Sequence, residues 1–227
     1  MEIIRTDNIE KIYSDNGIPV KALADISLSV NSGDFSVLAG PSGSGKTTLL
    51  NIIGSLDTPT HGKVFLDNVD LSTKTKTQLS DIRLYNIGFV FQAYNLIPVL
   101  SAIENIEFAM MLAGISQKER NEKAFKVMEE LEIADLAKKR PNQMSGGQQQ
   151  RVAVARAIAN DPFIVLADEP TANLDSKTGG RLLDLMQKMN EEKGITFIFS
   201  SHDRQVIERA KILFKIRDGL IEETIKN

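Results

Sequence analysis

The chain has 227 residues, a net charge of −3, 42% hydrophobic and 25% charged residues, the balance of an ordinary globular protein with room for one large core or a core carrying an inserted subdomain. It has no Cys, which excludes disulfide and thiol chemistry, and its longest basic cluster is Lys138-Lys139-Arg140, a solvated helix end rather than a nucleic-acid patch. Early charges at Glu2, Arg5 and Asp7 argue against a signal peptide, and apolar stretches such as 108–115 and 195–199 fall far short of the about 20 residues a membrane helix needs.

The first third reads as short strands at 2–5, 27–30, 35–39 and 63–66, divided by turn signals at Asn16-Gly17, Ser32-Gly33 and His61-Gly62. The buried-type strand at 35–39 leads directly into Gly40-Pro41-Ser42-Gly43-Ser44-Gly45-Lys46-Thr47, followed by the first turns of a helix at Thr48. This is the pattern G-x-x-x-x-G-K-[ST] in the strand–loop–helix context that gives it meaning. Its glycines let the backbone wrap an anion with N–H groups pointing inward, and the helix adds its positive end. Lys46 is expected to reach the β- and γ-phosphates of a nucleoside triphosphate, and Thr47 to ligate Mg²⁺.

A further strand is expected at 87–91. From Ser101 the period becomes helical, with capping boxes expected at Ser101-x-x-Glu104 and Ser116-x-x-Glu119, helices running through Met111 and Leu131, and another helix starting near Ser145. The pair Met110-Met111 reads as helix core. Residues 163–167 return as a continuously apolar strand that delivers Asp168 and Glu169 at its end, where ligands bind in open α/β sheets. Neighbouring carboxylates in an extended chain point apart, so Asp168 is expected to hold Mg²⁺ through a water while Glu169 orients or deprotonates an attacking water. A helix over 177–192 ending at Gly194, a strand over 195–199 and a hairpin turn at Asp218-Gly219 complete the chain. Strand–helix alternation on both sides of a helical block predicts an α/β parallel-sheet core, an N-terminal β subdomain and an inserted α-helical subdomain.

Gln143-Met144-Ser145-Gly146-Gly147-Gln148-Gln149-Gln150-Arg151 is a serine-capped, glycine-opened helix start, an anion site that needs no side-chain charge. Standing shortly before the paired carboxylates, it resembles the signature motif of the ATP-binding cassette (ABC) ATPases, and the resemblance covers essentially the whole chain. It implies a P-loop NTPase fold with a nucleotide core of 1–92 and 157–227 around a helical subdomain of 93–156. It also implies that Tyr13 stacks on adenine and that Gln92 is the Q-loop residue reaching the metal and the reacting centre. Asn173-Leu174-Asp175 matches the D-loop, with Asp175 at the nucleotide, and His202 matches the switch histidine. Met144 replaces the usual Leu, a volume-conserving exchange.

The family further implies ATP hydrolysis with Mg²⁺ and a head-to-tail dimer in which Ser145, Gly146, Gly147 and Gln148 meet the ATP held by the partner's loop. A membrane permease is the implied second partner, met in a groove of the 101–140 helices with Gln92 at its base, and it would hold this cytoplasmic chain at the inner face of the cell membrane. The string from Asn86 to Pro98 and the run Asp168-Glu169-Pro170-Thr171-Ala172-Asn173-Leu174-Asp175 look like the lipoprotein-releasing and macrolide-export cassettes, and cell-division and antimicrobial-peptide-resistance cassettes share much of the pattern. In the loop 93–98, Tyr94 and Leu96 read either as a docking surface or as packing on the Ser101 helix. A soluble ABC protein acting on DNA or ribosomes would call for a long coiled-coil insertion, tandem cassettes or basic surface, and the sequence has none of these. A nucleotide-binding module without catalysis would lack a carboxylate at Glu169.

Overall fold

The computed structural model describes residues 1–15 and 18–227; the turn expected at Asn16-Gly17 lies outside them. Strands β1 (Glu2–Asp15) and β2 (Ile18–Asn31) are far longer than the short runs read from composition. They pair antiparallel through several register shifts, which local alternation of side chains cannot reveal. β4 (His61–Leu66) and β5 (Val69–Asp70) extend this sheet in the order β2-β1-β4-β5. The expected turn at His61-Gly62 is instead the start of β4. Gly62, at φ 90°, sits where a Cβ would fall 2.3 Å from the carbonyl oxygen of Asn8, so the position takes only glycine.

The second sheet runs β10-β9-β3-β8-β7-β6, from β3 (Phe35–Ala39), β6 (Ile87–Val90), β7 (Ile164–Asp168), β8 (Thr196–Ser201), β9 (Ile212–Arg217) and β10 (Leu220–Lys226). All its pairings are parallel except β9–β10. That hairpin turns at Asp218 (φ 48°) and Gly219 (φ 75°), as the Asp-Gly signal requires.

The central strands feed two cores by strict alternation. Phe35, Val37, Val165, Ala167, Phe197 and Phe199 face one cluster, and Leu38, Ile164, Leu166 and Ile198 face the other. The first cluster is completed by α3 (Ala102–Leu112), α4 (Gln117–Glu130), α5 (Gly146–Ile158) and α6 (Ser176–Lys193). The second is completed by α1 (Lys46–Ile53) and the antiparallel sheet. Truncating a fully buried side chain here, such as Phe199, costs about 3–5 kcal/mol.

Helix starts follow the capping signals. Ser101 and Glu104 form a full capping box, and Ser145 and Gln148 another. Ser116 caps α4 through the Glu119 amide, but the Glu119 carboxylate does not return the bond; it faces Lys123 at 4.0 Å instead. Two helices were not anticipated, α2 (Lys76–Asn86) and the five-residue α7 (Arg204–Glu208). α2 opens with a capping box of Thr75 and Gln78, a legible signal, but it buries no side chain fully and packs on the second core only through the half-buried Leu79 and Ile82, a weak apolar stripe. Gly194 ends α6 at φ 68°, as expected. Met110 is core, whereas Met111 is 47% exposed, which corrects the reading of both as interior.

Candidate active site

Parallel pairing sets three strand ends abreast, since Ala39 lies opposite Ser201 and Asp168 opposite Ser200. The loops that leave β3, β7 and β8 therefore open on one edge of the sheet. There they enclose a cleft of about 360 Å³. Ser42, Gly43, Gly45, Lys46, Thr47 and Thr48 line one side, Gln92, Glu169, Ala172 and His202 the other, and Ala22 of β2 closes the edge.

The 40–45 loop is wedged between two pieces of chain. A Cβ on Gly40 would lie 2.0 Å from the Ile216 carbonyl oxygen, and one on Gly45 (φ 102°) 2.6 Å from that of Ala22. The Gly219 amide donates to the Ser44 carbonyl at 3.1 Å, so the C-terminal hairpin turn props the loop from behind. Lys46 is buried and folds across the loop, donating to the carbonyls of Gly40 at 2.8 Å and Pro41 at 2.9 Å. The Ser44 hydroxyl is buried without a partner. An orphaned hydroxyl, an ammonium and a helix N-terminus with no acidic residue in its first turn form a cradle suited to phosphate.

Opposite the cradle, the two carboxylates diverge. Asp168 accepts from the Thr47 hydroxyl at 3.1 Å, and two hard oxygen donors in contact fit Mg²⁺. Glu169 turns away because its backbone is left-handed (φ 45°), so the separation comes from a kink at the end of β7 rather than from extended alternation. Its amide donates to the Ser200 carbonyl at 2.9 Å, and its carboxylate accepts from the buried Ser201 hydroxyl at 3.3 Å. His202 Nδ1 lies 2.8 Å from Glu169 Oε1. A carboxylate only accepts, so this contact places the imidazole proton on Nδ1.

Other candidates stand outside the cleft lining. Tyr13 is 40% exposed at its margin, with its hydroxyl donating to Asp57 at 2.7 Å and Lys11 Nζ 4.7 Å from the ring centroid. Burial, and after it the Asp57 hydrogen bond, push the phenol up from its ordinary pKa. The turn Ser145, Gly146, Gly147, Gln148 does not line this cleft. Asp175 caps α6 by accepting from the amides of Lys177 and Thr178, and hydrogen bonds led by the Thr178 hydroxyl hold its carboxyl below the usual range. The 173–175 segment meets the site indirectly, since Asn173 Nδ2 donates to the Gln92 carbonyl at 2.8 Å.

Phe91, the residue before Gln92, lines a second and more apolar groove of about 420 Å³ with Leu56, Leu84, Phe89, Ala109 and Leu112. Arg156 closes it, clamping the loop through the carbonyls of Tyr94, at 2.9 Å, and Asn95. Burial lowers the pKa of that guanidinium. This clamp spans some sixty residues of sequence, and nothing local announces it. Leu96 packs on the main core, and Tyr94 is half-buried with its hydroxyl beside Gly146, so these two anchor the loop rather than present it. The apolar side chains of this groove left open are Leu56 at 47% and Leu112 at 59% exposure.

The family model described as ABC transporter matches residues 23–172. The chain is 46% identical over 222 residues to an uncharacterized ABC transporter ATP-binding protein of Thermotoga maritima, covering 98% of this chain and 93% of that one. It is 45% identical to a macrolide export ATP-binding/permease protein, MacB, of Syntrophobacter fumaroxidans, spanning 98% of this chain but 31% of that longer protein. A solved dimeric structure of a post-hydrolysis state of the Methanocaldococcus jannaschii cassette MJ0796, bound to ADP and Pi, is similar with a TM-score of 0.92 and 42% identity, over 99% of this chain and 98% of that chain.

Proposed function

The chain belongs to the ABC transporter family of ATP-binding proteins, and from that premise we propose that it hydrolyses MgATP in a head-to-tail dimer and drives a membrane permease from the cytoplasmic face. The observation that carries the reading is the opposition, across one cleft, of the Lys46–Thr47 cradle and the Glu169–His202 pair, with the Ser145 turn outside it. A cleft with a base and a phosphate cradle but no signature serine is half a site. A second copy supplies the rest, and the MJ0796 cassette is a dimer.

In this reading the amides of 40–48 and Lys46 bind and orient the phosphates, while the oxygens of Thr47, Asp168 and Gln92 would hold Mg²⁺. When bound, the ion neutralises charge on the phosphates during transfer. Glu169 takes the proton of the attacking water, and His202 fixes the orientation of Glu169 through Nδ1. Tyr13 stacks on the base. The partner's Ser145, Gly146, Gly147 and Gln148 contact the γ-phosphate, which gives ATP a differential affinity for the closed dimer that ADP lacks. Asp175 sits at that seam.

Residues 93–156 form the helical subdomain of the proposal and the remainder its nucleotide core. Gln92 on the cleft and Phe91 in the apolar groove link ATP to the permease helix that the groove receives. Similarity to MacB favours a permease of the macrolide-export or lipoprotein-release type. Mg²⁺-dependent ATPase assay of the purified chain tests the chemistry, and identification of the permease that co-purifies from native membranes in ATP tests the partner. Absence of hydrolysis with or without that permease sinks the reading.

A further inference from the structure

We propose that Asp57 is a positioning residue for nucleotide binding, holding the Tyr13 ring so that its one uncovered face meets the base; this rests on the stacking role given above to Tyr13. The need for such a device lies in the sheet. β1 pairs with β4 only as far as Glu10 opposite His61, so Tyr13 stands on a two-stranded ribbon of β1 and β2, where a side chain has little to hold it.

The segment 57–60 replaces the missing neighbour. Thr60 accepts from the Ile12 amide at 3.0 Å, and its own amide donates to the Glu10 carbonyl at 2.7 Å. Asp57 then divides its carboxylate. Oδ2 accepts from the Tyr13 hydroxyl at 2.7 Å, while Oδ1 accepts from Lys11 Nζ at 2.7 Å. Lys11 is held again by the Thr58 carbonyl at 2.8 Å and lies over the Tyr13 ring, 4.7 Å from its centroid. One face of the ring is thus covered by a cation, and the hydroxyl is pinned at the edge. The segment is continuous with α1, because the amides of Leu56 and Asp57 both donate to the Asn51 carbonyl. The ring is therefore fixed relative to the same helix whose first turn holds the phosphates. Ordering it beforehand removes a cost that binding would otherwise bear.

The test is calorimetric titration of the full chain with MgATP and with Mg-tripolyphosphate, which shares the phosphates and lacks the base. Asp57→Ala is expected to weaken ATP about fivefold, the effect of ordering one side chain on binding, and to leave tripolyphosphate unchanged. Tyr13→Phe should match it, the double variant should be no worse than either, and Asp57→Asn, which keeps an acceptor for the phenol, should recover most of the affinity. Equal losses for both ligands, or no loss, in Asp57→Ala while Tyr13→Ala weakens ATP alone would overturn the positioning role and leave stacking intact. If Tyr13→Ala spares ATP, the stacking reading fails and the role of Asp57 falls with it.

Discussion

Glu169 Oε1 and His202 Nδ1 lie 2.8 Å apart although 33 positions separate them in the chain, joined because β7 and β8 are parallel neighbours that end side by side. In the proposed mechanism the pair shares the work of a base. Glu169 is only slightly open, at 15% side-chain exposure, whereas His202 stands 69% exposed at the cleft.

Glu169→Gln removes the base and keeps the shape. Turnover is expected to fall at least about 100-fold while MgATP binding persists, so that an ATP-bound dimer accumulates on gel filtration. His202→Ala should slow turnover about 10- to 100-fold with little change in ATP affinity, because it frees the orientation of Glu169 rather than removing it. Near-wild-type rates in both variants would remove Glu169 from its assigned role.

The composite site predicts an asymmetry between Lys46 and Ser145. Lys46→Ala should weaken ATP binding by the isolated monomer. Ser145→Arg should leave monomer binding within about twofold and block dimer formation, since a bulky cation then enters the seam. If equilibrium dialysis shows equal loss of monomer binding in both, the signature acts within its own subunit and the dimer model is wrong.

Gly40→Ala tests the wedge behind the phosphate loop. Its Cβ would fall 2.0 Å from the Ile216 carbonyl oxygen, a backbone atom that cannot rotate aside. Loss of ATP binding together with about 1–3 kcal/mol of stability is expected, read by ligand titration and thermal melting. An unchanged melting curve with normal ATP affinity contradicts the packing described.

The apolar groove predicts separation of hydrolysis from coupling. Leu112 is 59% exposed and lines the groove without touching the nucleotide cleft. Leu112→Asp should spare the melting temperature and the ATPase of the free subunit and abolish stimulation by the permease. Tyr94→Ala should behave differently and lower the melting temperature, because Tyr94 packs beside Gly146. Normal permease stimulation in Leu112→Asp moves the docking site elsewhere.

Glu104 supplies a pH signature. The Ser101 amide and then the Ser101 hydroxyl hold its carboxyl below the usual range. A depressed folded pKa means stability that is present above the unfolded value, about 4.3, and lost as pH falls through the folded one. Glu104→Gln, which keeps the capping box and cannot titrate, should flatten the acid limb of the melting curve. An acid limb of unchanged steepness rejects the assignment.

The amino-acid sequence by itself determined the parts whose physics is local. The phosphate loop needs glycines at fixed spacing, at 40, 43 and 45, the buried β7 needs four apolar residues before Asp168, and the caps at Ser101, Ser145 and Gly194 depend on neighbours a few positions away. These were legible because backbone geometry and hydrogen bonding within one turn admit few residue types. Only the tertiary structure decided what depends on pairing between distant segments. The full length of β1 and β2 comes from their register, with its bulges, and not from propensity. The divergence of Asp168 and Glu169 comes from a left-handed kink that the Ser200 carbonyl helps to hold. The grip of Asp57 on Tyr13, the clamp of Arg156 on the 94–95 loop and the prop of Gly219 under Ser44 each join residues more than forty positions apart. Such contacts require no particular pattern in either partner's neighbourhood. They exist because folding brings two surfaces together, and their donors and acceptors must then find each other there.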